Sequence, residues 1–169
     1  MVLLVMMVAV IAGAINAQKA VKIDNPAIDP VGFRKLVNKA LDHREKRRLT
    51  EDQFIAMSKE DGVVILDARS KEKFDELHIK EAVNLSFPDI TVDSLATLLP
   101  DKNTKILIYC NNNFENAERA FPTKVAPASL NLSTYISLYT YGYRNVYELG
   151  PLLDANTTKI ELVPTEEFD

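Results

Sequence analysis

One side chain in this sequence is a ready nucleophile, Cys110, the only cysteine among 169 residues. It directly follows the run Lys105-Ile106-Leu107-Ile108-Tyr109 and directly precedes Asn111-Asn112-Asn113. In open α/β sheets ligands bind just beyond the carboxyl ends of strands. Asn tolerates unusual backbone angles, so a loop curling after Cys110 can turn several N–H groups inward. Such a concavity binds anions. It also favours the thiolate, which is the reactive form of cysteine. This pattern makes Cys110 a candidate catalytic nucleophile that acts on, or carries, an anionic group, with Asn111, Asn112 and Asn113 around the bound species. The competing reading is structural, because a free cysteine commonly behaves as a small buried hydrophobe. A lone thiol forms no internal disulfide. With only two histidines beside it, the usual four-ligand zinc site is out of reach, and no metal or cofactor is expected.

Presenting a thiol this way requires strands and helices in alternation, and the sequence supplies them. Asp29-Pro30 starts a helix, with Asp as N-cap and Pro at the first helical position. Phe33, Leu36, Val37, Ala40 and Leu41 share its apolar face. Its other face is basic, with Arg34, Lys35, Lys39, Arg44, Lys46, Arg47 and Arg48, and His43 is expected to be exposed there. Thr50-Glu51-Asp52-Gln53 is a capping box opening a second helix. Val63 to Leu66, Ala82 to Leu85, Lys105 to Tyr109 and Asn145 to Leu149 read as strands, and Ile160 to Val163 as a possible last one. Helices are expected after Ser70, after Thr91 and around Leu132 to Tyr139, the last ending at Gly142. Residues 151–156 read as a turn or short helix. Short apolar strands alternating with helices predict an α/β domain with a small, mostly parallel sheet flanked by helices, plus an extra N-terminal helix.

The chain as a whole is of one-domain length. Its 20 basic and 24 acidic side chains give a net charge of −4, which argues against a nucleic-acid partner. Hydrophobic residues at 47% and charged residues at 26% fit a globular protein rather than a disordered or multi-span one. Residues 1–17 carry no charge, and their apolar core is followed by Ala12, Gly13, Ala14 and Ala17. That pattern predicts a signal peptide and a secreted or periplasmic protein. The alternative is an N-terminal membrane anchor, for which the run is short. The expected organisation is a signal peptide at 1–17, an extension with a basic amphipathic helix at 18–47, the α/β domain at 48–163 and an acidic tail at 164–169. The basic helix face over 34–48 is either a solvated surface or a contact for an acidic protein or a membrane surface.

Four segments, in order, resemble the rhodanese-like (sulfurtransferase) domain family. Val64-Ile65-Leu66-Asp67-Ala68-Arg69 resembles the strand ending in its Asp-x-Arg. Phe74 to Leu85, containing His78-Ile79, resembles its Gly-His-Ile stretch, and Ile106 to Cys110 resembles the strand that delivers the active-site cysteine. Gly142-Tyr143-Arg144-Asn145-Val146-Tyr147-Glu148-Leu149-Gly150 resembles the closing segment. The resemblance implies sulfur transfer through a Cys110 persulfide, from a small anionic donor such as thiosulfate to a thiol acceptor. It implies a substrate-binding loop comprising Asn111, Asn112, Asn113 and Phe114, with Arg119 and Lys124 as candidate cations for the donor. Asp67, Arg69 and His78 are expected to give structural support. The sequence departs from the pattern in its loop: Gly142 lies 32 positions after Cys110, a longer interval than the family's usual one. The extra length, at about 114–129, contains Phe114, Phe121 and Val125, and is expected to form an ordered flap. Leu77 and Pro151 stand where the family has glycine. Cysteine phosphatases share this fold type but need an arginine six positions after the cysteine, where this chain has Asn116. A catalytically silent binding module is the other alternative.

Overall fold

The computed structural model describes residues 23–165. The signal peptide expected at 1–17 and the acidic end of the tail, Glu166 to Asp169, lie outside the described residues. None of the described helices is long and apolar enough to cross a membrane.

Local signals act where the sequence places them. Helix α1 spans Pro30–Arg44, and the Asp29 side chain accepts from the Gly32 N–H at 2.8 Å. Strand β1 (Arg48–Leu49) follows, then α2 (Glu51–Ser58). Thr50 and Gln53 cap α2 reciprocally: the Gln53 N–H donates to Thr50 Oγ1, and the Thr50 N–H donates to Gln53 Oε1. Next come β2 (Val64–Asp67), α3 (Lys71–Glu76), β3 (His78–Ile79), β4 (Val83–Asn84) and α4 (Val92–Leu98). The last stretch holds β5 (Ile106–Tyr109), β6 (Phe114–Glu115), α5 (Leu130–Thr140), β7 (Val146–Leu149), β8 (Leu153–Asp154) and β9 (Leu162–Val163). Gly142 stops α5 with φ +97, a conformation that costs glycine little.

Among the described residues the central sheet has the order β1-β7-β5-β2-β4, with every pairing parallel. Both faces of β5 are buried, as a parallel sheet requires. Ile106 and Ile108 face Ala40, Leu95, Tyr135, Leu138 and Tyr143, the side covered by α1, α4 and α5. Leu107 and Tyr109 face Phe54, Ile79, Phe114, Phe121 and Ile160. Strand alternation therefore turns Cys110 toward the α1 and α5 side. Two small ladders complete the domain, β3 with β9 antiparallel and β6 with β8 parallel.

Three expectations are corrected. Residues 151–156 contain β8 rather than a turn or short helix alone, because the long segment after Cys110 offers Phe114 and Glu115 as partners for Leu153 and Asp154. Phe33 is not in the apolar seam of α1 and stays exposed, since α1 overhangs the sheet at its N-terminal end and meets the core only from about Leu36 onward. His43 is half-buried against the rings of Tyr135 and Tyr139. Its Nδ1 lies 2.8 Å from the Tyr135 hydroxyl, because α1 packs directly on α5.

Candidate functional site

Cys110 sits at the end of β5, and the three asparagines after it form a single 3₁₀ turn, Asn111–Asn113. The residue is 1% exposed, yet it lines a cavity of about 270 Å³ with Arg44, Arg48, Asn112, Asn113, Ala126, Ser129, Asn131, Glu148 and Gly150 among its neighbours. Most of that lining is polar. The thiol is enclosed by hydrogen-bonding groups rather than by aliphatic ones. The Asn112 N–H points at Sγ over 3.4 Å, and the Ser129 hydroxyl lies 3.5 Å from Sγ. A loop cradle of several N–H groups is not formed. The turn is too short for it, and one loop amide and one hydroxyl approach the sulfur instead.

The three asparagines do different jobs. Asn113 is a buried brace: its Oδ1 accepts from the Cys110 N–H at 2.9 Å and from Asn131 Nδ2 at 3.0 Å. Its Nδ2 donates to the carbonyls of Leu149 and Pro151 at 2.7 and 3.0 Å. It therefore ties the cysteine to the end of β7. Asn112 ties the turn to the far side of the loop, with Nδ2 donating to the Lys124 carbonyl at 2.7 Å. Asn111 faces a separate cleft lined by Arg69, Ser70, Lys73, Pro122 and Lys124.

The remaining loop residues lie away from the thiol. Phe114 is buried on the opposite side of the sheet, 4.7 Å from the Phe121 ring centroid and edge-on to Tyr109. It contributes to the core and not to the cysteine cavity. Arg119 extends from the surface to Glu76, with Nε 2.8 Å from the carboxylate, and that pair lines another cleft. Lys124 meets Asn112 through its backbone, its carbonyl accepting from Nδ2 and its N–H donating to Oδ1. The insertion is ordered in two parts: Phe114, Ala120 and Phe121 are buried, whereas Val125 is 75% exposed.

Asp67, Arg69 and His78 hold the neighbouring loops. The buried Arg69 guanidinium pairs with Asp67 and donates to the carbonyls of Ala120 and Leu77, both at 2.8 Å. It lies 4.0 Å from the Phe121 ring centroid. Tyr109 donates its hydroxyl to Asp67 and accepts from the Ile79 N–H. Burial, with the Asp67 charge next, pushes the Tyr109 hydroxyl far above its ordinary pKa, so it remains a donor. His78 stacks on Phe74 with centroids 3.8 Å apart, and its Nδ1 lies 2.8 Å from the Phe74 carbonyl.

The charges beside Cys110 come from residues not assigned to the site from sequence. Glu148, 2% exposed, rises from β7 on the face that carries Cys110. Arg44 binds it bidentately, with Nε 2.6 Å from Oε2 and Nη2 on Oε1. Arg48 approaches from β1, with Nε 3.3 Å from Oε1 and Nη2 3.3 Å from the Gly150 carbonyl. Two guanidiniums against one carboxylate leave the cavity wall with one net positive charge. A signal existed in the sequence. Glu148 interrupts a largely apolar strand, and a buried carboxylate needs a paired cation, for which the basic cluster Arg44, Arg47 and Arg48 is one source. Among the described residues no group of three His, Cys, Asp or Glu side chains is placed to hold a metal ion.

Comparison with known proteins bears on the family and the fold. The family model described as the rhodanese-like domain matches residues 50–149. Thiosulfate sulfurtransferase PspE of Escherichia coli (strain K12) is 33% identical over 46 residues, which is 27% of this chain and 43% of that protein. The chain thus spans less than half the length of that curated relative. The crystal structure of the BH2092 protein from Bacillus halodurans superposes with a TM-score of 0.51 at 23% identity, over 76% of this chain and 86% of that one, and shows the shared fold. The solution structure of a rhodanese-like domain from an Anabaena sp. protein gives a TM-score of 0.48 at 21% identity, over 70% and 79% of the two chains.

Proposed function

The chain belongs to the rhodanese-like domain family, a sulfurtransferase-type family, and from that premise we propose that it is an exported sulfur transferase or carrier working through a Cys110 persulfide. The observation that carries this reading is the polar cleft: the one thiol of the chain faces a half-open space lined by two arginines, the Glu148 carboxylate, a serine hydroxyl and a loop amide.

In the first step the Cys110 thiolate attacks the outer sulfur of thiosulfate. A bond forms from Sγ to that sulfur, the sulfur–sulfur bond of thiosulfate breaks, and sulfite leaves with the electron pair. Cys110 then carries a persulfide anion, for which the Asn112 N–H and the Ser129 hydroxyl are the nearest donors. In the second step a thiolate acceptor attacks the outer sulfur and Cys110 departs as the thiolate. The transfer is split into two displacements in the manner of covalent catalysis. Export is supported by the uncharged apolar segment 1–17 and the small residues that end it.

The test is mass measurement of the mature protein after incubation with thiosulfate. The wild type gains the mass of one sulfur atom and loses it again to an added thiol, while Cys110→Ser gains nothing. The near-complete burial of Cys110 favours one rival, a module that binds a partner without turnover. An unchanged wild-type mass, together with a thiol that resists alkylation, would establish that rival. The phosphatase alternative has less support: Asn116 occupies the position an oxyanion-clamping arginine would need, and Arg119 is held at Glu76.

A further inference from the structure

We infer that Arg48 reads the anionic end of the sulfur donor, so that donor selectivity comes from the first strand of the sheet rather than from the cysteine loop. This rests on the transferase reading above and assigns that site its specificity residue.

Three observations support it. First, the cavity holding Cys110 has three charged side chains in its lining, Arg44, Arg48 and Glu148. Arg44 and Glu148 satisfy one another through a bidentate pair, the strong geometry for a guanidinium and a carboxylate. Their charges cancel locally, and the remaining charge is that of Arg48. Second, Arg48 is held loosely. Both of its contacts are 3.3 Å, beyond the usual range for N–H···O bonds. Its Nη1 has no partner among the described residues, and its side chain is 46% exposed. It can turn toward a ligand at little cost, whereas Arg44, at 14% exposure and doubly bonded, cannot. Third, the two loop cations that would otherwise serve are elsewhere: Arg119 is on Glu76, and Lys124 touches Asn112 by its backbone and lines the separate cleft.

The family match begins at residue 50, so Arg44 and Arg48 both precede the shared region. The charge at this cavity comes from a residue that the family match does not include. It is delivered by the register that sets Arg48 opposite Glu148 in the β1 to β7 pairing. The ligand class that fits is a small donor with a full negative charge next to its transferable sulfur.

The experiment compares two donors that differ at that end. Thiosulfate carries a charged oxygen where methanethiosulfonate carries a methyl group. Both deliver their outer sulfur to a thiolate, releasing sulfite and methanesulfinate respectively. Loading rates of the full chain are read by intact mass at limiting donor. For Arg48→Gln the preference for thiosulfate over methanethiosulfonate falls roughly ten- to a hundredfold, the scale of a lost hydrogen bond to a charged group. Arg48→Lys restores most of it. In the wild type, added KCl slows loading from thiosulfate more than loading from methanethiosulfonate, a measurement that needs no variant to fold. A wild type that loads from both donors, with a preference that neither Arg48→Gln nor salt changes, overturns this inference and leaves the transferase reading standing. A wild type that loads from neither overturns both.

Discussion

Cys110 is positioned by Asn113 more than by any other side chain. One carboxamide bonds the cysteine N–H, the Asn131 side chain and two carbonyls at the end of β7. All of these groups are at least partly buried, and a buried polar group left without a partner costs about 1–3 kcal/mol. Asn113→Ala is expected to destabilise the domain by about 2–4 kcal/mol in urea unfolding and to slow sulfur loading, since the turn loses its tie to the sheet. Cys110→Ser removes none of these bonds, and its stability should stay within about 0.5–1 kcal/mol of the wild type. The two variants thus separate the residue that holds the turn from the residue proposed to do the chemistry.

The segment from Phe114 to Ser129 joins a strand end to a helix and divides at Phe121. Its first half sends Phe114, Ala120 and Phe121 into the core: Phe114 and Phe121 pack on Tyr109, and the Arg69 guanidinium spans the Phe121 ring and the Ala120 carbonyl. Its second half is an exposed strap carrying Val125, which returns to the cavity as Ala126 and Ser129. Truncating Phe121 leaves a hole beneath a buried ion pair, so Phe121→Ala should cost about 3–5 kcal/mol. Val125→Ala should shift thermal unfolding hardly at all, within about 0.5 kcal/mol. Equal effects at the two positions would mean that the strap is packed along its whole length.

The N-terminal extension is welded to the domain through α1, which lies on α5 and brings Arg44 to Glu148. At the same contact His43 meets Tyr135 and Tyr139. Burial, then the charges of Arg47 and Arg144, hold its imidazole below the usual value of 6.5. The unfolded chain therefore takes up this proton before the folded one does as pH falls. Stability from the neutral histidine is complete above about pH 6.5 and is lost progressively below it, down to the lowered folded value. Urea midpoints measured across that window should fall with pH in the wild type. His43→Gln should flatten that part of the profile, and an unchanged slope would show that α1 does not bury its histidine in solution.

Much of this molecule is written locally. Asp29-Pro30 and Thr50 with Gln53 set two helix starts, and short runs such as Ile106 to Tyr109 read as strands buried on both faces. Cys110 at a strand end marks the candidate site because the carboxyl edge of a parallel sheet is where side chains and amides converge. Those features depend on neighbours a few positions apart, whose period and capping chemistry survive in a linear reading. The surroundings of the thiol do not. Ser129 lies 19 positions from Cys110, and Arg44 lies 104 positions from Glu148. They meet only because α1 crosses α5 and β1 pairs with the far side of β7. Charge pattern marked Arg119 and Lys124 as the cations nearest the cysteine in sequence, whereas chain topology put Arg44 and Arg48 nearest in space. A side chain's partner is decided by register and packing, and neither is encoded in the spacing of a single segment.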